Sequence, residues 1–394
     1  MSVRRSSLAA LSLAALSFAG CAGETAAPDP VEMRAAIRKP LSTLEWNRVA
    51  RSMIEKHKPN QQAAQRGMAY LTLAQYVAAS EAVLVPPTPF TTQGAIAGAS
   101  QVVLSYLYPA DSALFRAEVE LRAVALEPGR DDAFHAGVVL GREIGAKAVA
   151  LAKADRFTAP WTGTVPTGPG IWFSSATPPA PPALPMLGQV EPFFMTSGNQ
   201  FRPGPPPAFQ SPAFEAALAE VRDIAATRTA EQDSIAKFWA MGTGSLIAGF
   251  WNTQAAELIE REKLDELAAA RALALMNTAS MDALIACADA KFAYWLLRPT
   301  QADPTIALAI GLPNFPSYPS NHSCFSGSAA YVLASLFPED AQRLAGMAYA
   351  AGVSRIFGGI HYRFDADAGL EIAEQVSGLA MQADRANALV SLLQ

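Results

Sequence analysis

Helical periodicity runs through almost the whole chain and is broken at length only once, over residues 156 to 212, which hold about half of the 29 prolines. Proline lacks a backbone N–H and clashes with the preceding turn, so no regular helix crosses that stretch. Strand signals, meaning alternating patterns rich in β-branched residues, are scarce on both sides. The chain is therefore constrained to an all-α fold: two packed helical bundles with a Pro-rich irregular excursion between them.

The first half, 42–155, reads as helices at 42–86, 92–107, 111–126 with Asp111 as cap, and 131–154. The second half, 213–394, starts after Ser211-Pro212, a cap followed by a first-turn proline. Its helices are expected at 213–228, 231–259, 264–298, 322–336, 339–356 and 364–392. Phe238 to Ala256 carries no charge and has the length of a membrane span, but Gly242, Gly244, Gly249 and Asn252 favour a buried helix. The 156–212 segment contains Trp161, Trp172, Phe173, Phe193, Phe194, Phe201 and Arg202. Disordered spacers rarely hold so many aromatics, so it is expected to be ordered, lying over the helices near a pocket mouth.

Residues 1–21 have the layout of an export signal: Arg4 and Arg5, an apolar stretch from Leu8 to Ala19, then Phe18-Ala19-Gly20-Cys21. They resemble a bacterial lipoprotein signal with Cys21 lipidated, an ordinary secretory signal being the alternative. Residues 22–41 then read as a tether, and the protein is expected in the periplasm or cell envelope, touching a membrane only through its N-terminal lipid.

With 51% hydrophobic residues the exported part can bury a large core. A net charge of −5 argues against nucleic acid or an anionic membrane surface as partner. Any anion site must arise from local clustering. Besides Cys21 there are only Cys287 and Cys324, so no disulfide framework holds the fold, and whether those two pair is left open.

Such clustering occurs between residues 291 and 365. Lys291, Trp295 and Arg298 stand at i, i+4 and i+7, which on a helix puts them on one face over about 10 Å. Pro299 should end that helix and leave Arg298 at a rim. Pro319-Ser320-Asn321-His322 precedes an apolar helical run, with Ser320 as a natural N-cap. A helix N-terminus attracts anions, and a first-turn histidine can move protons. Ser354-Arg355 closes one helix, Gly358-Gly359 turns the chain, and His361 has Asp365 four residues on, where a carboxylate can accept the imidazole N–H. That leaves the other ring nitrogen free as nucleophile or ligand. Two of the chain's four histidines are here.

In order, spacing and residue type these segments resemble the three motifs of the superfamily uniting type 2 phosphatidic acid phosphatases, bacterial acid phosphatases and vanadium-dependent haloperoxidases. The resemblance implies an active site in the C-terminal bundle. Lys291, Arg298 and Arg355 resemble its oxyanion-holding cations, and Ser320 and the backbone of Asn321 its hydrogen-bond donors. His322 resembles the acid/base histidine. His361 resembles the histidine that either binds vanadium or attacks phosphorus, with Asp365 as its support. Asn321 departs from the family's usual glycine, placing a side chain where the backbone nears the oxyanion.

His361-Tyr362-Arg363-Phe364-Asp365 and Phe315-Pro316-Ser317-Tyr318 are similar to the haloperoxidase branch, which would put Phe315, with Trp295, close to the halide. The implied function is vanadate-dependent oxidation of halide by hydrogen peroxide. The alternatives are a soluble acid phosphatase acting on a phosphomonoester through phosphohistidine, without vanadate, and a non-catalytic oxyanion-binding helical protein. Halide, organic acceptor and oligomeric state stay open.

Overall fold

The computed structural model describes residues 41–84, 88–126, 129–241 and 245–394. The signal, Cys21 and the tether up to residue 40 lie outside the described residues. Among those described, the chain is helical, with an isolated bridge between Ile171 and Leu296 and no strand.

The first half holds α1 (Ser42–His57), α2 (Gln61–Ala82), α3 (Pro89–Leu107), α4 (Ser112–Val124) and α5 (Asp131–Ala154). The continuous helix expected from 42 is two helices. Pro59 cannot continue the hydrogen-bond ladder, Lys58 is left-handed at φ 47, and the Asn60 side chain caps α2 by accepting from Ala63 N. Asp111 is not the side-chain cap expected of it: it sits in a 3-10 turn, Pro109–Asp111, and its carboxylate holds Lys56 and His57. Helices α3 and α5 meet backbone to backbone through small residues, since a Cβ on Gly94 would lie 1.9 Å from the Phe134 carbonyl oxygen and one on Gly141 as close to that of Ala95.

The second half holds α6 (Pro212–Thr227), α7 (Ala230–Met241), α8 (Leu246–Arg261), α9 (Glu266–Tyr294), the single turn α10 (Pro299–Ala302), α11 (Asn321–Leu336), α12 (Ala341–Phe357), α13 (Arg363–Arg385) and the short α14 (Ala388–Ser391). The helix expected over 231–259 is divided into α7 and α8, with Leu246 at φ 60 where α8 begins. No helix among the described residues is long and apolar enough to cross a membrane.

Helix α9 is the axis of the molecule. Nearly every residue from Ala269 to Lys291 is buried, and α9 packs on α2 from the first half and on α11 and α13 from the second. A buried amide ladder ties these parts together: Asn47 of α1 donates to Asn252 of α8 (2.8 Å), Asn252 and Asn277 of α9 bond reciprocally (2.9 Å each way), and Gln65 of α2 donates to the Asn277 carbonyl (2.8 Å). Each such group must find its partner or be stranded in an apolar interior, so the ladder fixes helix register.

The 156–212 segment is an ordered irregular belt containing a 3-10 turn, Leu187–Gln189. Its anchor is Asp282 of α9, whose carboxylate accepts from the N–H groups of Phe193 (2.7 Å), Phe194 (2.8 Å) and Met195 (3.1 Å). Arg202 pairs with Asp289 further along α9. The belt covers the outer side of α9 and the 296–318 loop. None of its described residues lines the main cavity, but Ser174, Pro181 and Ala183 bond Asn314, next to the cavity-lining Pro313.

Candidate functional site

Three helix ends meet around the loop 296–320. Helix α9 stops at Tyr294, with Trp295 left-handed at φ 51 as C-cap. Leu296 to Arg298 run on in extended form, and Arg298 begins α10 as its N-cap. Lys291, Trp295 and Arg298 thus do not share a helix face. Arg298 is fully buried rather than at a rim, and Trp295 turns away from the cavity into a cluster with Trp161, Trp172 and Phe292. Phe315 does line the cavity, its ring about 5 Å from both Lys291 Nζ (5.2 Å) and the Arg298 guanidinium (5.1 Å). Such contacts favour the cation through the ring quadrupole.

Helices α12 and α13 close on the first turn of α11 through two glycines. A Cβ on Gly352 would meet Ser323 Oγ at 2.7 Å, and one on Gly369 would meet Ser323 Cβ at 2.7 Å and the Ser320 carbonyl oxygen at 2.8 Å. Ser320 N–H donates to the Asp365 carbonyl at 2.8 Å, tying the start of α11 to that of α13. Gly359, at φ +81, makes the turn between Arg355 and His361.

This convergence brings together His361, Arg298, Asp365 and Ser317. The Asp365 carboxylate accepts from His361 Nδ1 (2.7 Å), Ser317 Oγ (2.5 Å) and Tyr362 N–H (3.1 Å). A carboxylate acceptor puts the imidazole proton on Nδ1 and leaves Nε2 with a lone pair. That nitrogen accepts from Arg298 Nη1 at 3.0 Å. Arg298 is held in turn by the carbonyls of Ile360 (2.7 Å) and Phe315 (3.0 Å), and its Nη2 has no protein partner. Ser317 is a residue the motifs did not single out.

Ser320 occupies the N-cap position of α11, but its hydroxyl makes no capping bond; it is buried without a partner. The first turn of α11 adds amide N–H groups that no preceding turn can accept. Asn321 takes ordinary helical backbone as the first residue of α11, so a side chain costs no strain there, and its Oδ1 accepts from the Cys287 thiol at 3.0 Å. Cys287 and Cys324 are both free and buried.

The remaining histidine and cation are positioned by α7. His322 Nε2 bonds the Trp239 carbonyl at 2.8 Å, so that nitrogen carries the proton and Nδ1 the lone pair. Arg355 donates to the Ala236 carbonyl (2.7 Å) and to Ser354 Oγ (2.9 Å). Lys291 differs from expectation. Its ammonium donates to the carbonyls of Pro316 (3.1 Å), Ser317 (2.7 Å) and Pro319, so it clamps the loop and acts on the site through its charge.

Electrostatically the site is a buried positive cluster. Lys291, Arg298 and Arg355 are 1%, 0% and 2% exposed, and none of the three forms an ion pair among the described residues. Burial lowers the Lys291 pKa to about 8 and pushes both guanidiniums down. His361 is held well below the usual imidazole range by burial, then by Arg298 and Lys291; His322 is held there by burial, then by Arg355. Both rings are thus neutral near neutral pH. Burial raises Asp365 to about 6. Buried cations without counter-ions are costly unless a ligand supplies the negative charge.

His361 Nε2, the partnerless Ser320 Oγ and Arg298 Nη2, the α11 amides and the positive field suit a tetrahedral oxyanion such as phosphate or vanadate. No group of three or more His, Cys, Asp and Glu side chains among the described residues forms a conventional metal cage. Vanadate held through one imidazole and hydrogen bonds to its oxygens needs none.

The family model of the PAP2 superfamily matches residues 269–388. Among solved structures, one described as the first bacterial vanadium-dependent iodoperoxidase is similar at TM-score 0.72 and 22% identity, over 90% of this chain and 96% of that one. A bacterial vanadium-dependent chloroperoxidase in its apo form is similar at TM-score 0.64 and 14% identity, over 84% and 96% of the two chains. Its holo form matches at 0.64 and 15%, over 83% and 93%. No curated protein matches the sequence.

Proposed function

We infer that this chain, a member of the superfamily joining PAP2 phosphatases with vanadium haloperoxidases, is a vanadate-dependent haloperoxidase that oxidises halide with hydrogen peroxide. The observation that carries the reading is the trio of buried cations around His361, which form no direct ion pair among the described residues and have Asp365 as a nearby buried carboxylate. The likeness to bacterial vanadium peroxidases over most of both chains supports that branch, whereas the PAP2 match covers only the motif region.

His361 Nε2, released from Arg298 Nη1, would hold the vanadate, with that guanidinium, Ser320 Oγ and the α11 amides on its oxygens and Lys291 and Arg355 balancing its charge. Bound there, vanadate supplies a Lewis-acidic oxyanion centre that activates hydrogen peroxide toward halide. Asp365 keeps His361 in the Nδ1–H tautomer, and Ser317 keeps Asp365 in place. His322 offers its Nδ1 lone pair to a proton leaving peroxide, and the Trp239 carbonyl stabilises the imidazolium formed. Phe315 covers the two inner cations and keeps water from them.

The test is turnover of bromide, iodide and chloride by purified protein with orthovanadate and hydrogen peroxide, competed by phosphate. His361→Ala is expected to abolish it, and Asp365→Asn to lower it about 10- to 100-fold, as loss of a supporting carboxylate does. No oxidation of any halide, together with vanadate-inhibited hydrolysis of a phosphomonoester, would assign the same His361 to phosphoryl transfer instead.

A further inference from the structure

The oxyanion pole occupies one wall of a cavity of about 690 Å³. A water molecule takes up about 30 Å³ in the liquid, so halide, peroxide and a tetrahedral anion together leave most of this space free. Its size lies within the roughly 300–1,000 Å³ of pockets that enclose small organic ligands. Away from His361, His322, Arg355 and Asn321 the lining is mainly apolar, with Ile247, Leu284, Ile310, Pro313, Phe325 and Ile360 prominent.

The lining has a consistent charge character. No Asp or Glu is among the described residues that line the cavity. Lys237 also lines the cavity, its ammonium paired with Asp233 at 2.5 Å. Gln61, delivered by the start of α2, accepts at Oε1 from Ile247 N–H (3.0 Å) and keeps a buried Nε2 without a partner. The wall therefore accepts an apolar body, carries the two amide side chains Gln61 and Gln62, and gives a cationic group no carboxylate to pair with.

We propose that this cavity binds the organic acceptor of the reaction, an uncharged or anionic, largely apolar molecule. As a statement about halogenation it rests on the peroxidase reading. Hydrogen peroxide takes two electrons from halide and, with one proton, yields hypohalous acid and water. The acceptor's carbon then donates an electron pair to the halogen, the oxygen–halogen bond breaks, and the displaced hydroxide leaves as water with the proton lost from carbon. Held in the cavity, the acceptor meets the halogen before it escapes.

The variant for the test is Ala240→Trp, because Ala240 is exposed yet lines the cavity and belongs to none of the catalytic groups. With 2-naphthol as acceptor, KM is expected to rise about tenfold, the mark of lost substrate binding. Oxidation of iodide to triiodide, which needs no organic acceptor, is expected to change less than about twofold on the same reasoning. A naphtholsulfonate should bind, and a trimethylammonium-bearing naphthol should not. An unchanged naphthol KM, or products in the same ratio as free hypohalous acid gives, would overturn the proposal. Calorimetric titration of naphthol into the protein without peroxide separates the two readings: binding weakened in the variant without halide oxidation removes the peroxidase reading and keeps the site, whereas no binding removes the site itself.

Discussion

Ser320 holds a buried hydroxyl with no partner at the head of α11. A buried hydroxyl left unbonded costs free energy, so its position among the cations points to a ligand. Ser320→Ala deletes the donor without disturbing any intramolecular bond. A hydrogen bond to a charged group contributes about 1.5–3 kcal/mol, so phosphate and vanadate should bind roughly 10- to 100-fold more weakly. The melting temperature without anion should hold or rise slightly, because the variant removes an unsatisfied buried hydroxyl. Titration calorimetry beside a thermal scan checks both, and equal affinities would mean that the hydroxyl never touches the anion. Residue types were legible at this scale, because the histidine–carboxylate pair and the capped helix are local patterns. The destination of Lys291 was not. Its three carbonyl acceptors come from residues 316 to 319, whose path is set by how α9, α11 and α13 pack. Ser317 was missed for the same reason, since its bond to Asp365 spans 48 residues.

Among the elements, helix existence followed from periodicity and capping, as at Ser211-Pro212 before α6. The breaks did not. Pro59 and the Asn60 cap stop the chain between α1 and α2 within the polar run 55–62, which a reading by periodicity alone passes over. Helix α7 ends at Met241 and α8 starts at Leu246, where no proline announces a break. Helix α9 carries a deeper ambiguity: a helix buried all round has no polar face, so periodicity cannot say which side meets the site. Asp282, with Asp289 one of two aspartates on the buried length of α9, is a polar trace of what covers it. Its carboxylate, raised to about 6 by burial, receives three belt amides. Asp282→Ala strands those N–H groups at a cost on the order of 3 kcal/mol. Helical circular dichroism should persist while limited proteolysis accelerates within 156–212. An unchanged cleavage pattern would mean that the belt is held by its aromatics alone.

For the molecule as a whole, the net charge of −5 hides a local excess of positive charge at its centre. Composition could place an anion site only by exclusion, and could not reveal that the first half reaches its cavity, as Gln61 and Gln62 do. Folding must bring Lys291, Arg298 and Arg355 out of water without a carboxylate in contact, so an oxyanion that binds the folded chain alone should stabilise it strongly. At a concentration of 100 times its Kd the gain is about 2.7 kcal/mol, or a rise of several degrees in melting temperature. The pH dependence follows from Lys291, whose pKa is lowered to about 8 in the folded chain from an ordinary 10.5. Below about 8 it is charged in both states and the anion effect is complete. Between about 8 and 10.5 the unfolded chain binds more protons than the folded one, so the anion-free protein gains stability as pH rises. Over the same window the anion loses a cation and binds more weakly. The phosphate-induced rise in melting temperature should therefore be full near neutral pH and shrink above about 8, with chloride at equal ionic strength giving no rise. A phosphate effect that grows above pH 8, or that chloride reproduces, would assign the stabilisation to surface screening rather than to this buried site.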